Sequence, residues 1–468
     1  MDSVTRTTYS PQAFRGLTFH DAARRFAEGA DTPRAYLERC LETIAAREPE
    51  VRAFAALNEA GAREAAEASA ARWRANRPLS PVDGMPVGIK DLLETRDMPT
   101  EMACAAYRGN FPKRDNAAVW ALRQAGAVIL GKTVTAELGG SHPGPTTNPF
   151  DPTRTPGGSS SGSAAAVAAG MVPAAIGTQV GGSIIRPASY CGNFALKPSQ
   201  GAINRGERQA TSQSTHGVHA NSVEDVWQVA IEIARRAGGD RGCVGLMGPA
   251  AAPRPVRPER LILMETAGWR SLDGASRTAF EAVVEGVQAA GVAVLRRGDH
   301  PLIEAFEAAI AGASAIGGGI TAWENRWAQR ALVDAQPDGV SERAKAVLAS
   351  AEAMTVADYQ ALLAEREAAQ LRYAALAPIA DAAISLASPG PAPVWTGDAP
   401  GQPRVARPTG DFVFNAPSSM LFAPSVTVPL LAVGGLPVGV QVMAQRGEDA
   451  RATAIARWLL DTVNPIAA

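Results

Sequence analysis

Short apolar runs bounded by glycine or proline alternate along this chain with stretches whose apolar residues recur every three or four positions. Strands and helices are therefore predicted in turn. Asp31 ahead of Thr32-Pro33 predicts an N-cap followed by proline in a first helical turn, and Tyr36, Leu37, Leu41 and Ile44 then mark one apolar face. The pattern next predicts a strand over 51–57, a helix over 62–74 and a short buried strand over 84–91 that runs into a polar loop. A helix over 116–125, stopped by Gly126, leads into a buried strand over 127–130. Further on come a helix over 222–237 with Ser222 as cap and Glu224 and Asp225 in its first turn, a strand over 257–266, a helix over 273–290 and a strand over 292–295. Residues 301–377 read as mostly helical, 384–387 and 425–443 as strands, and 449–462 as a closing helix. The Pro- and Gly-rich stretch 388–411 reads as an unusually long loop, a length that suits either the border of a site or a surface excursion. Helix, glycine, strand is the rhythm of an α/β sheet, and no internal repeat interrupts it.

Composition narrows what such a chain does. Its 468 residues fit one large domain or two ordinary ones, and 46% hydrophobic against 19% charged residues excludes a disordered chain. With 45 Lys and Arg against 46 Asp and Glu, no electrostatic ground exists for binding nucleic acid or an anionic membrane. Cys40, Cys104, Cys191 and Cys243 are scattered without CxxC spacing, so neither a disulfide framework nor a zinc site is expected, and a reducing compartment suits them. The five histidines form no HExxH pair, and neither metal nor cofactor is expected. Residues 1–10 are polar and lack an apolar signal core. The most membrane-like stretch, 424–444, is broken by Pro424, Pro429, Pro437 and Gly434-Gly435 and reads as paired strands. These readings together place the chain in the cytoplasm.

Three glycine motifs compete for the chemistry. Gly126 to Thr133 matches the phosphate-loop pattern GxxxxGK[ST], but Ala127 to Leu130 favour a buried strand where that loop must curl. Gly158-Ser159-Ser160-Ser161-Gly162 matches the GxSxG elbow of a serine esterase with Ser160 central. That elbow needs a strand running into it, and the preceding 148–156 segment is broken by proline; its base would have to be His216, His219 or His300. The third pattern is larger. Gly157-Gly158-Ser159 opens an Ala-rich helix over 163–169 that Gly170 ends, 172–176 reads as a return strand, and 178–183 as a tight turn closing on Gly181-Gly182-Ser183. About eight helical residues advance roughly 12 Å and a five- or six-residue strand returns about 17–20 Å, so Ser159 and Ser183 are expected side by side.

Two serines need a base. Lys90 follows an apolar strand, and burial disfavours the ammonium form, so its amine is expected to accept a proton. A neutral lysine, a relay serine and a nucleophilic serine make a histidine-free means of activating a hydroxyl.

The GGSSSGS block at 157–163, the GGSI block at 181–184 and the IKD lysine at 89–91 together resemble the amidase signature family, and the two serines stand 24 positions apart as in that family. The resemblance is strongest over 148–201 and extends more weakly from about Tyr36 to the C-terminus. It implies a single amidase domain over 1–468 with a short N-terminal helical segment at 1–48, a helical flank at 301–377, and a large mixed β-sheet flanked by helices on both faces. It also implies Ser183 as nucleophile, Ser159 as relay after a cis Gly158-Ser159 peptide, Lys90 as general base, and an oxyanion hole from the N–H groups of Val180, Gly181, Gly182 and Ser183. Two departures stand out. Gln179-Val180 replaces the commoner Asp-Thr, which changes the support beneath the turn. Arg186 lies three residues after Ser183 instead of two, an order similar to the malonamidase-like branch, in which the arginine faces a substrate carboxylate; the alternative is an arginine that ties loops together through backbone carbonyls.

The leading expectation is thus an amidase that cleaves a carboxamide C–N bond and releases ammonia or an amine, with a small amide bearing a carboxylate as one substrate, activity on similar esters, and a homodimer as one assembly. An amidotransferase A-type subunit of a larger complex is the second reading, a GxSxG serine esterase the third, and a silent scaffold the fourth. Trp269, Trp323, Trp327, Trp395 and Phe412 are candidates to line an aromatic pocket, with a core role the default for most of them.

Overall fold

The computed structural model describes residues 7–140, 142–207, 211–398 and 403–468. Its centre is a twelve-stranded mixed sheet. In chain order the strands are β1 (Phe54–Leu57), β2 (Pro86–Lys90), β3 (Val128–Thr133), β4 (Ala174–Gln179), β5 (Phe194–Lys197), β6 (Thr215–Ala220), β7 (Arg260–Leu263), β8 (Ala293–Leu295), β9 (Ala382–Leu386), β10 (Ser425–Val433), β11 (Leu436–Met443) and β12 (Ile466–Ala467). Spatially they run β1-β3-β2-β4-β6-β5-β10-β11-β9-β7-β8, with β12 added beside β10. β2 is parallel to both β3 and β4, β7 is parallel to β8 and β9, and the middle of the sheet is antiparallel. Fourteen α-helices are present among the described residues, and none alone is long and apolar enough to cross a membrane.

Most predicted elements are present, with shifts that have local causes. Thr32, not Asp31, caps the helix Pro33–Val51 by accepting from Ala35 N; Asp31 receives Thr32 N and pairs with Arg39. That helix runs on through Pro49 until Arg52 turns into the left-handed region, so the strand expected from 51 begins only at Phe54. The 1–48 segment is helical from His20, and its first six residues lie outside the described ones. Its 7–19 part instead lies against the body of the protein, where Tyr9 and Phe14 form an edge-packed cluster with Phe150. The helix predicted over 163–169 is Ser161–Ala168, and the return strand predicted over 172–176 is Ala174–Gln179, because Pro173 cannot donate to a ladder. β5 and β6 have no counterpart in the predictions: the first is four residues long, and the second, Thr-His-Gly-Val-His-Ala, lacks an apolar alternation.

Every residue of the Ser161–Ala168 helix is buried. Its small side chains let it lie deep in the molecule, and a Cβ at Gly162 would sit 2.2 Å from the Ala53 carbonyl oxygen, so only glycine permits this approach. The stretch 301–377, read as mostly helical, holds the helices Pro301–Ile310, Ala313–Ala335, Glu342–Glu352 and Val356–Ala374. All but the Glu342–Glu352 helix contribute to a separate apolar cluster that includes Ile303, Phe306, Ile316, Ile320, Ala369 and Tyr373.

Candidate active site

Because β2 and β4 are adjacent and parallel, their carboxyl ends leave the sheet on the same side, the place where open α/β sheets bind ligands. β2 ends at Lys90 and β4 ends at Gln179, directly before Val180 to Ser183. The Gly157-Gly158-Ser159 turn enters the same space. Ser159, Val180, Gly181, Gly182, Ser183 and Arg186 line one cavity of about 460 Å³. Ser160 N donates to the Ser183 carbonyl over 3.3 Å, so the two serine motifs meet as their spacing predicts. The Gly158-Ser159 peptide is cis.

Lys90 is wholly buried. Its Nζ stands 2.7 Å from Ser159 Oγ, 2.8 Å from Thr178 Oγ1, 3.0 Å from Ser160 Oγ and 3.3 Å from the Thr178 carbonyl oxygen. None of these partners is a carboxylate. Burial pushes the Lys90 ammonium well below its usual range, and the positive charge of Arg186 pushes it in the same direction. A neutral amine has two N–H donors and one lone pair, so Thr178 and Ser160 can take the donors while the lone pair faces the Ser159 hydroxyl. Ser160 and Thr178 are the residues that sequence reasoning missed as partners of Lys90. Their signal was adjacency to the two serine motifs, and it did not say which hydroxyls turn toward the lysine.

The loop before Ser183 is held by its carbonyls. Gln213 Nε2 donates to Val180 O over 3.2 Å, Ser419 Oγ to Gly181 O over 3.1 Å, and Arg186 N to Gly182 O over 3.0 Å. In a trans peptide the N–H points opposite the C=O. Fixing these three oxygens therefore turns the N–H groups of Gly181, Gly182 and Ser183 to the other side of each plane. Gly182 has no space for a side chain, since a Cβ there would lie 2.7 Å from Asn415 Oδ1. Gln179 supplies the support that its replacement of aspartate left open: its Oε1 accepts from Ile184 N at 2.9 Å and Ile185 N at 3.0 Å, and its Nε2 donates to Ser419 Oγ at 3.1 Å.

Arg186 does one of the two jobs considered for it, the tying of loops. Its Nη2 donates to Gly158 O at 2.6 Å and Thr409 Oγ1 at 3.1 Å, which ties loops together. Nε and Nη1 have no hydrogen-bond partner among the described residues, the residue is 4% exposed, and its guanidinium lies over the Phe412 ring. Burial lowers its pKa to about 10, so the guanidinium is still charged at neutral pH.

The competing motifs take structural places. Gly131, Lys132 and Thr133 belong to β3, and Lys132 pairs with Asp91 at 2.9 Å. A loop and not a strand precedes Gly158. His216 and His219 are pushed down to about 3 by burial, and His300 caps the Pro301–Ile310 helix. Of the five aromatic candidates only Phe412 lines the cavity. Trp269 packs against the core, whereas Trp327 is 71% exposed and sits in neither place. Among the described residues no group of three or more His, Cys, Asp or Glu is placed to hold a metal ion.

Comparison with known proteins places the chain among amidases and amidotransferase subunits. The family model described as Amidase matches residues 35–452. The A-type subunit of a glutamyl-tRNA(Gln) amidotransferase from Salinispora arenicola is 31% identical over 501 residues, 98% of each chain. Its counterpart from Chloroflexus aggregans is 44% identical over 195 residues, and that match spans only 40% of its length. Among solved structures, a crystal structure of an amidase superposes with a TM-score of 0.81 at 29% identity, covering 96% of this chain and 100% of that one. The peptide amidase of Stenotrophomonas maltophilia gives 0.79 at 26% identity, covering 96% and 97%.

Proposed function

The chain belongs to the amidase family, and from that footing we propose that it hydrolyses a carboxamide through an acyl-enzyme on Ser183. The observation that carries the reading is the wholly buried Lys90 amine 2.7 Å from Ser159 Oγ, with no carboxylate among the described residues bonded to it to hold a proton on the lysine. Lys90 draws the proton of Ser159, and Ser159 draws that of Ser183. Ser183 Oγ then attacks the amide carbon. Negative charge develops on the carbonyl oxygen and is met by N–H groups of the 180–183 loop, each useful donor contributing about 3–4 kcal/mol. The proton returns through Ser159 to the leaving nitrogen, ammonia or an amine departs, and water entering by the reverse path releases the acid and restores Ser183. No metal takes part in these steps, and esters of similar shape react as well. A fluorophosphonate tests the nucleophile directly. It is expected to add one phosphonyl group per chain, found on Ser183 by peptide mass spectrometry; unmodified protein, or label on another residue, overturns the assignment.

Arg186 gives the substrate a polar end. Its charge on the cavity wall, with Nε and Nη1 unpartnered among the described residues, favours an amide carrying a carboxylate. In Arg186→Ala, KM is expected to rise at least tenfold for acidic amides and by less for neutral ones. Removing a positive neighbour also favours the Lys90 ammonium, so the rise of kcat/KM with pH is expected to move to higher pH. Equal losses on acidic and neutral amides, with an unmoved profile, would leave Arg186 a loop tie alone.

A second reading rests on the 98% coverage of the Salinispora amidotransferase chain, in which the same chemistry would pass ammonia from glutamine to a partner-bound acceptor. Glutamine hydrolysis that appears only with partner subunits would favour it over a free-standing amidase. The cysteines among the described residues are all free, which suits the cytoplasm in either case.

A further inference from the structure

The site cavity is larger than a small acidic amide requires. At about 460 Å³ it falls in the range that holds a drug-sized ligand, roughly fifteen times a water's ~30 Å³ share of liquid. It is also elongated. The Ala313–Ala335 helix roofs it from Gly317, whose carbonyl receives the Gln213 amide that also holds Val180 O, to Leu332. Fifteen residues of helix separate these two points by roughly 22 Å.

The Leu332 end differs in chemistry from the Arg186 side. Met102, Tyr107, Leu138, Leu332 and Val347 give it apolar surface, and behind them Cys104, Ala106 and Val340 form a small buried apolar cluster. Of its polar neighbours, Glu137 is held by Ser341 and Arg343 by Asp398, while Gln329 borders Leu332. This arm opens on the reacting centre, because a Cβ at Gly139, next to Leu138, would stand 3.9 Å from Ser159 Oγ. It is also built in advance. The Glu137 carboxylate accepts from Ser341 N at 2.9 Å and from the Ser341 hydroxyl, and Ser341 in turn caps the Glu342–Glu352 helix that carries Val347. An independent sign lies in the backbone. Met102, Ala103 and Leu138 all adopt left-handed torsions, with φ of 56°, 51° and 53°, and Leu138 N donates to Met102 O at 2.9 Å. Non-glycine residues in that region are uncommon, and such strain gathers at ligand clamps.

We infer that this arm is a substrate subsite for an apolar chain or ring, so that the protein acts on amphiphilic amides whose apolar part lies between the Leu332 end of the roof helix and the Leu138 segment. The inference rests on the site reading given above for Ser183 and deepens it: a small acidic amide fills only the inner end, whereas an amide with an apolar arm fills the cavity.

Equilibrium binding of linear alkanamides to the Ser183→Ala protein, read by calorimetry, tests the arm without turnover. Hexanamide is expected to bind about fiftyfold more tightly than propanamide, at roughly fourfold per buried methylene. Leu332→Asp in the same background is expected to cut that ratio to below about fivefold. Val347→Asp, at a position 41% exposed and so tolerant of charge, is expected to reduce it as well should Leu332→Asp fail to fold. A ratio near one in the parent protein, or a steep ratio untouched by both substitutions, overturns the subsite. Failure of the site reading looks different: native protein then goes unlabelled at Ser183 by the fluorophosphonate, whatever the alkanamide series shows.

Discussion

Alanine at position 183 is expected to stop turnover, with kcat for any amide the native protein cleaves falling by on the order of 10⁵–10⁶. The substitution removes only the hydroxyl. The peptide planes that carry the Gly181, Gly182 and Ser183 N–H groups stay clamped by Gln213, Ser419 and the Arg186 amide, so substrate binding and part of the electrostatic stabilisation persist. KM is accordingly expected to stay within a few-fold, and residual catalysis over water to come from binding and the oxyanion donors alone. Stability should change little, because a half-buried hydroxyl at the end of a loop is lost without opening a core cavity. Ser159→Ala added to Ser183→Ala should cost almost nothing more, since residues that act as a unit are strongly non-additive. Steady-state kinetics of the single and double variants decide the matter, and full turnover by Ser183→Ala ends the proposed mechanism.

Methionine at position 90 is the second large effect. It keeps the length and apolar stem of the lysine and removes the amine, and kcat/KM is expected to fall by on the order of 10²–10⁴, the usual share of a general base. The pH profile carries the finer information. Burial first, and the Arg186 charge second, lower the Lys90 ammonium well below the ordinary lysine range. Only the deprotonated amine accepts a proton. In the native protein kcat/KM therefore rises as pH climbs through that lowered value and levels off above it. In Lys90→Met the rising limb disappears. A native limb at the ordinary lysine value, or a limb unchanged in the variant, would mean that Lys90 is a fixed cation and not the base.

Much of this site was legible in the amino-acid sequence. Lys90 closes an apolar strand, the paired glycines precede Ser159 and Ser183, and helix-then-strand arithmetic returns the chain to its start; each is a local pattern with a local cause. What was not legible is how the loop before Ser183 is held. Gln213 lies thirty positions further on, in a segment with no periodicity, and Ser419 sits in a five-residue helix that carries no amphipathic signal. Their use depends on where β6 and the 416–420 turn arrive in space, and side chains recruited from afar leave no mark in their own neighbourhood. Trp327 shows the opposite failure: its size argues for burial, yet the helix face that carries it points to solvent.

By itself the sequence determined the alternation of elements, the two serine turns and the strand-end lysine, because backbone propensity and side-chain type act over a few residues. Only the tertiary structure decided that β2 and β4 lie side by side with their carboxyl ends together, that four oxygens and no carboxylate surround the Lys90 amine, and that the 313–335 helix roofs a long cavity with an apolar end. Sheet order, desolvation and cavity shape are set by which distant segments pack together, and that is a property of the whole chain.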